Sequence, residues 1–329
     1  MSTVAHRKPR AFPWHIVVFL APALIVYTLF MIYPLADSIR LSLYAPNENN
    51  QEVFVGLDNY HQLLTSDLWR PRMEGALKHN VQFFLIHMLV QNPLALLLAS
   101  LLSSPMVRGR TFYRTAIFTP TMLSVVLVGF AWKMILSPIW GISADVVEQL
   151  NHWIIDPLNA LDIFGIYHIG YIQNKPWLGL EDTALTTLSL ISVWQWVGIP
   201  MMLFLAALIG IPDELIEAAR VDGATAWSVW RRIKLPLIMP TVGIVGILTF
   251  VGNFNAFDLV YATQGAIASP NFSTDLLGTL FFRTFFGIQL QAGNPTMGAT
   301  IGGVMFMIIL AGVLVYMFGW QRRVTQVEL

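Results

Sequence analysis

Six long apolar stretches constrain this chain more than any other feature, because each could cross a bilayer as a helix of about 20 residues. Inside them the only formally charged side chains are Lys133 and Asp258, each near an end of its stretch. Only 12% of the chain is charged, against about 25% in a typical soluble domain. The sequence therefore predicts an all-α integral membrane protein with six transmembrane helices, at 16–35, 81–102, 116–136, 184–209, 237–262 and 299–320.

The distribution of Lys and Arg predicts the orientation of these spans. With the N-terminus inside, twelve of the 19 basic residues fall in the inside segments 1–15, 103–115, 210–236 and 321–329. The outside segments are about twice as long in total and hold fewer basic residues. We therefore expect both termini to be cytoplasmic. The segments then expected outside are 36–80, 137–183 and 263–298.

The N-terminal 30 residues combine a basic start with an apolar run, as a signal peptide does. The run is too long for a typical signal peptide and lacks a small-residue cleavage site, so we interpret it as an uncleaved first span. The expected organisation is a cytoplasmic tail of residues 1–15, a transmembrane domain of 16–320 and a cytoplasmic tail of 321–329. In the second outside segment, apolar residues at helical spacing over 146–154 predict a short amphipathic helix, either lying on the membrane surface or packed on the bundle.

Composition excludes several classes of function. The formal net charge is zero, so no general basic field attracts nucleic acid. Cysteine is absent, which excludes disulfides and thiolate catalysis. The seven histidines are scattered without an H-E-x-x-H pattern, which disfavours a membrane-embedded metalloenzyme. An ion-coupled secondary transporter is an alternative, but such a carrier usually needs an ionisable residue near the midplane, and the spans show none there.

The segment between the fourth and fifth spans predicts a cytoplasmic helix–turn–helix. Pro212 and the two acidic residues after it suit a helix start. Gly223 permits a positive φ and a sharp end to that helix. Residues 224–233 then predict a second short helix, and Pro236 is expected to break the chain before span five. A hairpin that merely lies on lipid headgroups is the alternative interpretation.

The spacing inside this segment resembles a known family motif. The pattern EAA-x3-G-x9-I-x-L-P is filled at every fixed position, by Glu217, Ala218, Ala219, Gly223, Ile233, Leu235 and Pro236. It is similar to the EAA loop of binding-protein-dependent ABC importer permeases. The segment IPDELIEAARVDGA resembles the carbohydrate branch of that family, the maltose and glycerol-phosphate permeases. Further similarity lies in GLDNY (56–60), NFNAFDLVY (253–261) and MGATIGG (297–303). The branch often shows Gly-Gly-Pro after span five, where this chain has TQGAIASP at 263–270.

The resemblance implies that the loop couples the permease to a cytoplasmic ATPase. The implied coupling residues are the seven motif positions together with Ala224 and Trp227. The chain has no P-loop pattern, so ATP and Mg²⁺ are expected on a separate ATPase, with no cofactor bound here. The implied partners are a second, different EAA-loop permease in a heterodimer, two copies of the ATPase and an extracytoplasmic solute-binding protein. The implied location is a bacterial or archaeal cytoplasmic membrane.

Polar and aromatic positions in spans four and five predict where a solute could bind, since importer sites lie near the midplane at Gly- or Pro-broken helices. Trp194, Gly198 and Met201 stand at i, i+4 and i+7, and a helix would place them on one face. In span five Thr249, Asn253 and Ala256 also share one face, with Gly252 beside them. Asn255 and Asp258, at i and i+3, are expected either to contact the solute or to face the outer water layer. Amides and hydroxyls bond sugar hydroxyls, and an aromatic face covers sugar C–H groups, so the two faces together predict a neutral sugar or polyol site.

Packing is the alternative interpretation of the same residues, because an asparagine inside a span often bonds a neighbouring helix. His87, Gln91 and Asn92 in span two are expected to be buried bonding partners rather than ligands. Gly298 and Gly302 are expected to allow close helix packing. Within the same transporter class, glycerol phosphate, another polyol or an amino acid remains an alternative solute.

Overall fold

The computed structural model describes residues 14–47, 51–104, 106–138, 141–161, 170–173, 175–288 and 292–322. Most of the two expected tails, 1–15 and 321–329, and part of the outside segment 137–183 lie outside the described residues. The regular secondary structure of the described residues is helical apart from one small antiparallel hairpin, β1 (Tyr44–Pro46) and β2 (Glu52–Phe54).

The first half of the described chain contains six helical elements and the hairpin. Helix α1 runs from Trp14–Tyr27 through a π-helical turn, Thr28–Ile32, into Tyr33–Leu41. After the hairpin and the short helix α2 (Asp58–Thr65), helix α3 runs over Arg70–Ser103. The elements that follow are α4 (Arg110–Met122), α5 (Val125–Ile135) and α6, which continues from Ser143–Leu150 through Asn151–Ile155 to Asp156–Leu161.

The second half is built from shorter helices and one long one. They are α7 (Glu181–Trp196), α8 (Gly198–Ile209), α9 (Asp213–Val221), α10 (Ala226–Leu237), α11 (Met239–Phe254), α12 (Asp258–Gln264), α13 (Leu277–Phe286) and α14 (Pro295–Gln321).

The six apolar stretches are helical, but only three form one long helix each. By length and composition α1, α3 and α14 could each cross a membrane, and three bent pairs bring the possible number of spans to six. The bends are 98° between α4 and α5, 44° between α7 and α8, and 63° between α10 and α11. The bends after α7 and α10 lie beside Gly or Pro, which interrupt helical hydrogen bonding, and the break after α4 comes three residues beyond Pro120.

The fifth span differs from the sequence-based expectation at both ends. Pro236 lies within α10 instead of breaking the chain, and the bend occurs at Ile238, between Pro236 and Pro240. At the other end α11 stops at Phe254. A non-helical link, 255–257, then separates it from α12, so the helix within the expected span 237–262 is interrupted. The link matters because its backbone and side chains occupy positions that the same residues could not take in a continuous helix.

Interlocking contacts hold α14 against its neighbours. A Cβ on Gly298 would come within 2.7 Å of the Phe285 Cβ of α13, so only glycine fits there. Likewise, Cβ atoms on Gly243 of α11 and Gly312 of α14 would collide with Trp320 and with Phe250, respectively. The prediction that Gly298 serves close packing is confirmed. In addition, α11 and α14 each place an aromatic ring against a glycine of the other helix.

The GLDNY segment joins the end of α1 to the rest of the bundle. Asn59 Nδ2 donates to the backbone carbonyls of Ser42 and Tyr44, at 2.8 Å each. The Tyr60 hydroxyl lies 2.9 Å from Ser42 Oγ. These bonds satisfy the carbonyls just past the C-terminus of α1, so the motif fixes how the first helix leaves the bundle.

Helix α6 forms where an amphipathic helix was predicted. Its apolar side chains are exposed within the described part of the chain, including Val146, Leu150, Trp153 and Ile154, while Ile155 is buried. Val147 is half-buried, so most of this stripe does not pack on the described bundle.

Candidate functional site

A cavity of about 320 Å³ lies where five helices meet. It is within the size range of small-molecule sites. Helices α3, α7, α8, α11 and α12 supply its wall, together with Val125 of α5 and the link 255–257. The lining residues are Phe83, His87, Gln91, Val125, Ser192, Trp196, Ile199, Pro200, Leu203, Val245, Leu248, Thr249, Gly252, Asn253, Asn255, Ala256, Phe257, Asp258, Leu259 and Val260.

The polar stripe expected in span five lines this cavity. Thr249, Gly252, Asn253, Asn255 and Asp258 all contribute to the wall. Asn253 Nδ2 donates to the Thr249 carbonyl at 2.7 Å. Its Oδ1 is buried and has no hydrogen-bond partner among the described residues. A buried acceptor without a donor is costly, so this wall of the cavity carries an unsatisfied hydrogen-bonding group.

The stripe expected in span four does not line the cavity. Met201 is fully buried in the hydrophobic core beside Phe204. Gly198 faces α4, where a Cβ would come within 2.9 Å of the Ile117 carbonyl oxygen. Trp194 is half-exposed and meets Trp132 edge-on at 5.5 Å.

The physical reason is the choice of face. The cavity-lining residues of α7 and α8 (Ser192, Trp196, Ile199, Pro200 and Leu203) keep helical spacing across the 44° bend. The expected residues stand two positions away from them, about 200° around the helix, and therefore face away from the cavity. In place of the three expected residues, Trp196, Ile199 and Pro200 form this wall of the cavity.

Two residues of α3 line the cavity although they were expected only as bonding partners. His87 Nδ1 lies 2.8 Å from the Phe83 carbonyl, which can only accept, so this nitrogen carries a hydrogen. His87 Nε2 lies 3.0 Å from Ser192 Oγ and in the neutral ring accepts from that hydroxyl. Gln91 Oε1 is buried without a partner among the described residues. The signal available in the sequence was the spacing of these two polar residues, one turn apart in an apolar stretch.

Asn92 is a bonding partner as expected. Its Nδ2 lies 3.1 Å from Thr249 Oγ1, and the same hydroxyl donates to the Val245 carbonyl at 2.8 Å. Helix α3 is thus tied directly to the cavity-lining face of α11. The residues His87–Gln91 form a π-helical turn, a distortion that often occurs at functional sites.

The helix–turn–helix between spans four and five is present. Gly223 has φ +79°, and a Cβ there would meet no atom within 4 Å, so backbone conformation alone demands glycine. The Ala224 amide donates to the Ala219 carbonyl at 2.9 Å, which closes the end of α9. The second helix begins at Ala226, two residues later than expected, because the Thr225 hydroxyl caps it by accepting from the Ser228 amide.

This hairpin projects an exposed surface. Glu217, Ala218 and Trp227 are exposed, with Trp227 at 66%. Trp227 stacks on Trp230 with the ring centroids 5.3 Å apart and the planes at 10°. Trp230 Nε1 donates to Ser100 Oγ of α3 at 3.3 Å, so the hairpin is bonded to the same helix that reaches the cavity.

The remaining motif residues show where the hairpin joins the bundle. Ile233 is half-buried, and Leu235 packs against the core formed by α3, α8 and α11. Pro236 is exposed, and Ala219 and Ala224 are half-buried. The beginning of the motif, at Glu217 and Ala218, is therefore exposed, and Ile233 and Leu235 near its end are packed against the bundle.

Comparisons with known proteins match this architecture. The model of the family described as "Binding-protein-dependent transport system inner membrane component" matches residues 91–325. A probable starch degradation products transport permease, AmyD of Thermoanaerobacterium thermosulfurigenes, is 26% identical over 93% of this chain and 94% of its own. The alpha-glucoside permease AglF of Rhizobium meliloti is 29% identical over 92% of this chain and 80% of its own.

A solved structure shares the fold. One chain of a bacterial alginate ABC transporter, crystallised with an alginate pentasaccharide-bound periplasmic protein, has a TM-score of 0.73 at 22% identity. The match covers 95% of this chain and 96% of that one. The family match extends over more than half of the chain and includes both the hairpin and most of the cavity wall. This chain therefore belongs to the inner-membrane permeases of binding-protein-dependent ABC importers, multi-pass components that carry neither an ATPase domain nor a cofactor of their own.

Proposed function

We propose that this chain forms half of a translocation pathway for a sugar or related polyol, in a bacterial or archaeal cytoplasmic membrane with both termini cytoplasmic. Its permease partner is a second, different EAA-loop subunit. Two copies of a cytoplasmic ATPase drive transport, and an extracytoplasmic binding protein delivers the solute. The names of the starch-product and alpha-glucoside relatives support this class of solute.

The observation that carries the proposal is the hydrogen-bonding character of the cavity. The Asn253 and Gln91 side-chain oxygens are buried acceptors without donors among the described residues. Asn255 and Asp258 add further acceptors on the wall. Hydroxyl-rich solutes bring the missing donors, and Trp196 and Phe257 offer apolar rings to sugar C–H faces. No basic side chain lines this cavity in the described chain, which disfavours an anionic solute.

The hairpin supports the proposed coupling to an ATPase. An exposed surface of Glu217, Ala218 and Trp227 on a rigid turn suits docking into a cleft of another protein. The hydrogen bond from Trp230 to Ser100 then links the docked element to α3, whose other residues line the cavity. ATP binding and solute passage would thus act on one shared two-state element.

Uptake in proteoliposomes tests the proposal. The complete complex, with its binding protein outside and ATP inside, should accumulate a neutral sugar or polyol from a panel of labelled solutes that includes glycerol 3-phosphate and amino acids. Omitting ATP or the binding protein should abolish uptake. Accumulation of only an anionic solute or an amino acid would contradict the proposed class of solute.

A further inference from the structure

Helix α6 has an apolar face that the described part of the chain leaves uncovered. Trp153 is 75% exposed, and Val146, Leu150 and Ile154 are exposed as well. With about 3.6 residues per turn, these four side chains share one side of the helix, and we call them the apolar face of α6. Only the short segment 136–142 separates α6 from the end of α5. The apolar face therefore begins close to a membrane-spanning element.

The opposite side of α6 is polar. Asp145, Glu148 and His152 are exposed there, and the Asp156 carboxylate lies 3.3 Å from His152 Nδ1. The sequence of α6 contains neither Lys nor Arg. Separation of an apolar side from a charged side is typical of a helix that lies in the plane of a membrane surface. Such helices are often basic, so α6 has the shape of this class without its usual attraction to anionic lipid.

The chain that returns towards span four is bonded to α6 through polar side chains. Asn151 Nδ2 donates to the Ile172 carbonyl, and Asn151 Oδ1 accepts from the Ile172 amide, at 2.8 Å each. The Tyr171 hydroxyl donates to Asp156 Oδ1 at 2.9 Å. Among the described residues these bonds use the polar groups of α6 and leave its apolar face free for an external partner.

Continuity with the surface of α5 indicates that this partner is lipid. Val126, Leu127 and Phe130 of α5 are exposed, as they are on a helix that faces hydrocarbon. In the proposed orientation α6 follows the outer end of α5, where acyl chains meet headgroups. Indole rings concentrate at this level of a bilayer, which suits the exposed Trp153. The apolar face of α6 thus extends the lipid-facing surface of α5 into the membrane interface.

We infer that α6 is an anchor that lies flat in the outer interface of the bilayer. Its apolar face contacts the upper acyl chains of phospholipids, and its acidic side faces water. Since α6 has no basic side chain, the attachment depends on apolar contact and is independent of the lipid headgroup charge. Helices α5 and α7, on either side of this outside segment, both supply cavity wall. The anchor therefore holds the outer connection of two cavity helices at the membrane surface.

Single cysteines in this cysteine-free chain test the depth of α6 in the purified complex. Ile154→Cys on the apolar face and Glu148→Cys on the polar side each receive an environment-sensitive fluorophore in phosphatidylcholine nanodiscs. A lipid nitroxide near the headgroup should quench position 154 at least about twofold more strongly than position 148. Aqueous iodide should show the reverse preference. Adding phosphatidylglycerol or raising the salt concentration should change neither result.

A matched pair of charge substitutions tests which side of α6 meets lipid. Trp153→Glu places a carboxylate in the apolar face, whereas His152→Glu places one on the polar side. With the fluorophore at position 154, Trp153→Glu should reduce lipid quenching about twofold or more and admit iodide, because a carboxylate among acyl chains is costly. His152→Glu should retain the wild-type quenching by both reagents.

Three outcomes would overturn the anchor. Shielding of position 154 from both quenchers would show that a protein, the second permease or the binding protein, covers the apolar face. Equal access of iodide to positions 154 and 148 would place the whole of α6 in water. Lipid quenching that appears only with phosphatidylglycerol would make headgroup charge the basis of the attachment. None of these readouts depends on the transported solute, so the anchor and the proposed sugar pathway can fail separately.

Discussion

A single amide oxygen in the cavity wall is the most sensitive point at the residue scale. Asn253 Oδ1 is buried without a partner among the described residues, and its Nδ2 is held by the Thr249 carbonyl. The bond fixes the direction of the free oxygen. We predict that Asn253→Ala lowers the uptake rate. The loss should correspond to about 1–3 kcal/mol, the free-energy cost of leaving a buried group of the solute unpaired. Uptake rates measure this, and Gln62→Ala on the exposed face of α2 is the control. Unchanged uptake in an assembled complex would make Asn253 a packing residue.

The turn of the hairpin is the second position at this scale. At φ +79° a side chain on Gly223 costs about 1 kcal/mol or more. Gly223→Asp also adds charge at the proposed docking surface, so it should detach the ATPase or block ATP-driven uptake while the protein still inserts. ATPase co-purification and vesicle uptake are the measurements. Gly75→Ala, where a Cβ meets nothing within 4 Å, is the matched control, and normal uptake with a full complement of ATPase would refute the docking role.

At the scale of elements, α3 is the connection between the two functional regions. Near its C-terminal end Ser100 accepts from Trp230 of the hairpin, and Asn92, two turns earlier, bonds Thr249 at the cavity. An α-helix rises 1.5 Å per residue, so the two bonds are separated by roughly 12 Å. We therefore expect a displacement of the hairpin to be transmitted to the cavity along this part of α3.

A double-mutant cycle tests that connection. Trp230→Phe keeps a ring beside Trp227 but loses the donor, and Ser100→Ala loses the acceptor. Each variant should lower the amount of solute transported per ATP hydrolysed, with ATPase binding retained. Because both remove the same bond, the double variant should be little worse than either single one. Strictly additive losses would show that the bond does not carry the coupling.

The elements also show what the sequence could and could not predict. Hydropathy located all six apolar stretches, and the spacing from Glu217 to Pro236 located the hairpin, because both depend on local composition and motif. A break before span five was expected at Pro236, and the bend lies two residues later, at Ile238. The bends at Val197 and between α4 and α5 were not predicted, since Gly and Pro only permit a bend and the packing of neighbouring helices sets its angle. Met201 was placed in the expected site because spacing alone does not tell which face of span four meets the cavity, and it lies in the core. The role of His87 in the cavity wall depends on Ser192, 105 residues away, and no local pattern reveals such a pairing.

At the scale of the whole molecule, the orientation of the bundle is directly testable. The absence of cysteine allows single cysteines to be introduced without background. Asp67→Cys and Arg108→Cys are exposed positions at segments expected on opposite sides. An impermeant thiol reagent added to intact cells should label position 67 and not position 108. The reverse pattern would invert the proposed topology.

The composition of the complex is the second prediction at this scale. One chain supplies one docking hairpin and one wall of a pathway, so activity should require a second permease. We predict that the transport-active complex contains a different EAA-loop permease in a 1:1 ratio, measurable by mass spectrometry of the purified assembly. A fully active complex with this chain as its sole permease would contradict the heterodimer.

The two ring-on-glycine contacts between α11 and α14 bear on the movements of a transport cycle. Phe250 of α11 fits against Gly312 of α14, and Trp320 of α14 fits against Gly243 of α11. Sliding or rolling of one helix along the other would have to displace both rings. We therefore expect the two helices to move together, as one body. The degrees of freedom then lie at its joints, the bend at Ile238 and the link 255–257, and the second joint carries three residues of the cavity wall. Because α3 is bonded both to Thr249 of α11 and to Trp230 of the hairpin, we expect a rotation of that body to reshape the cavity and to displace the hairpin together.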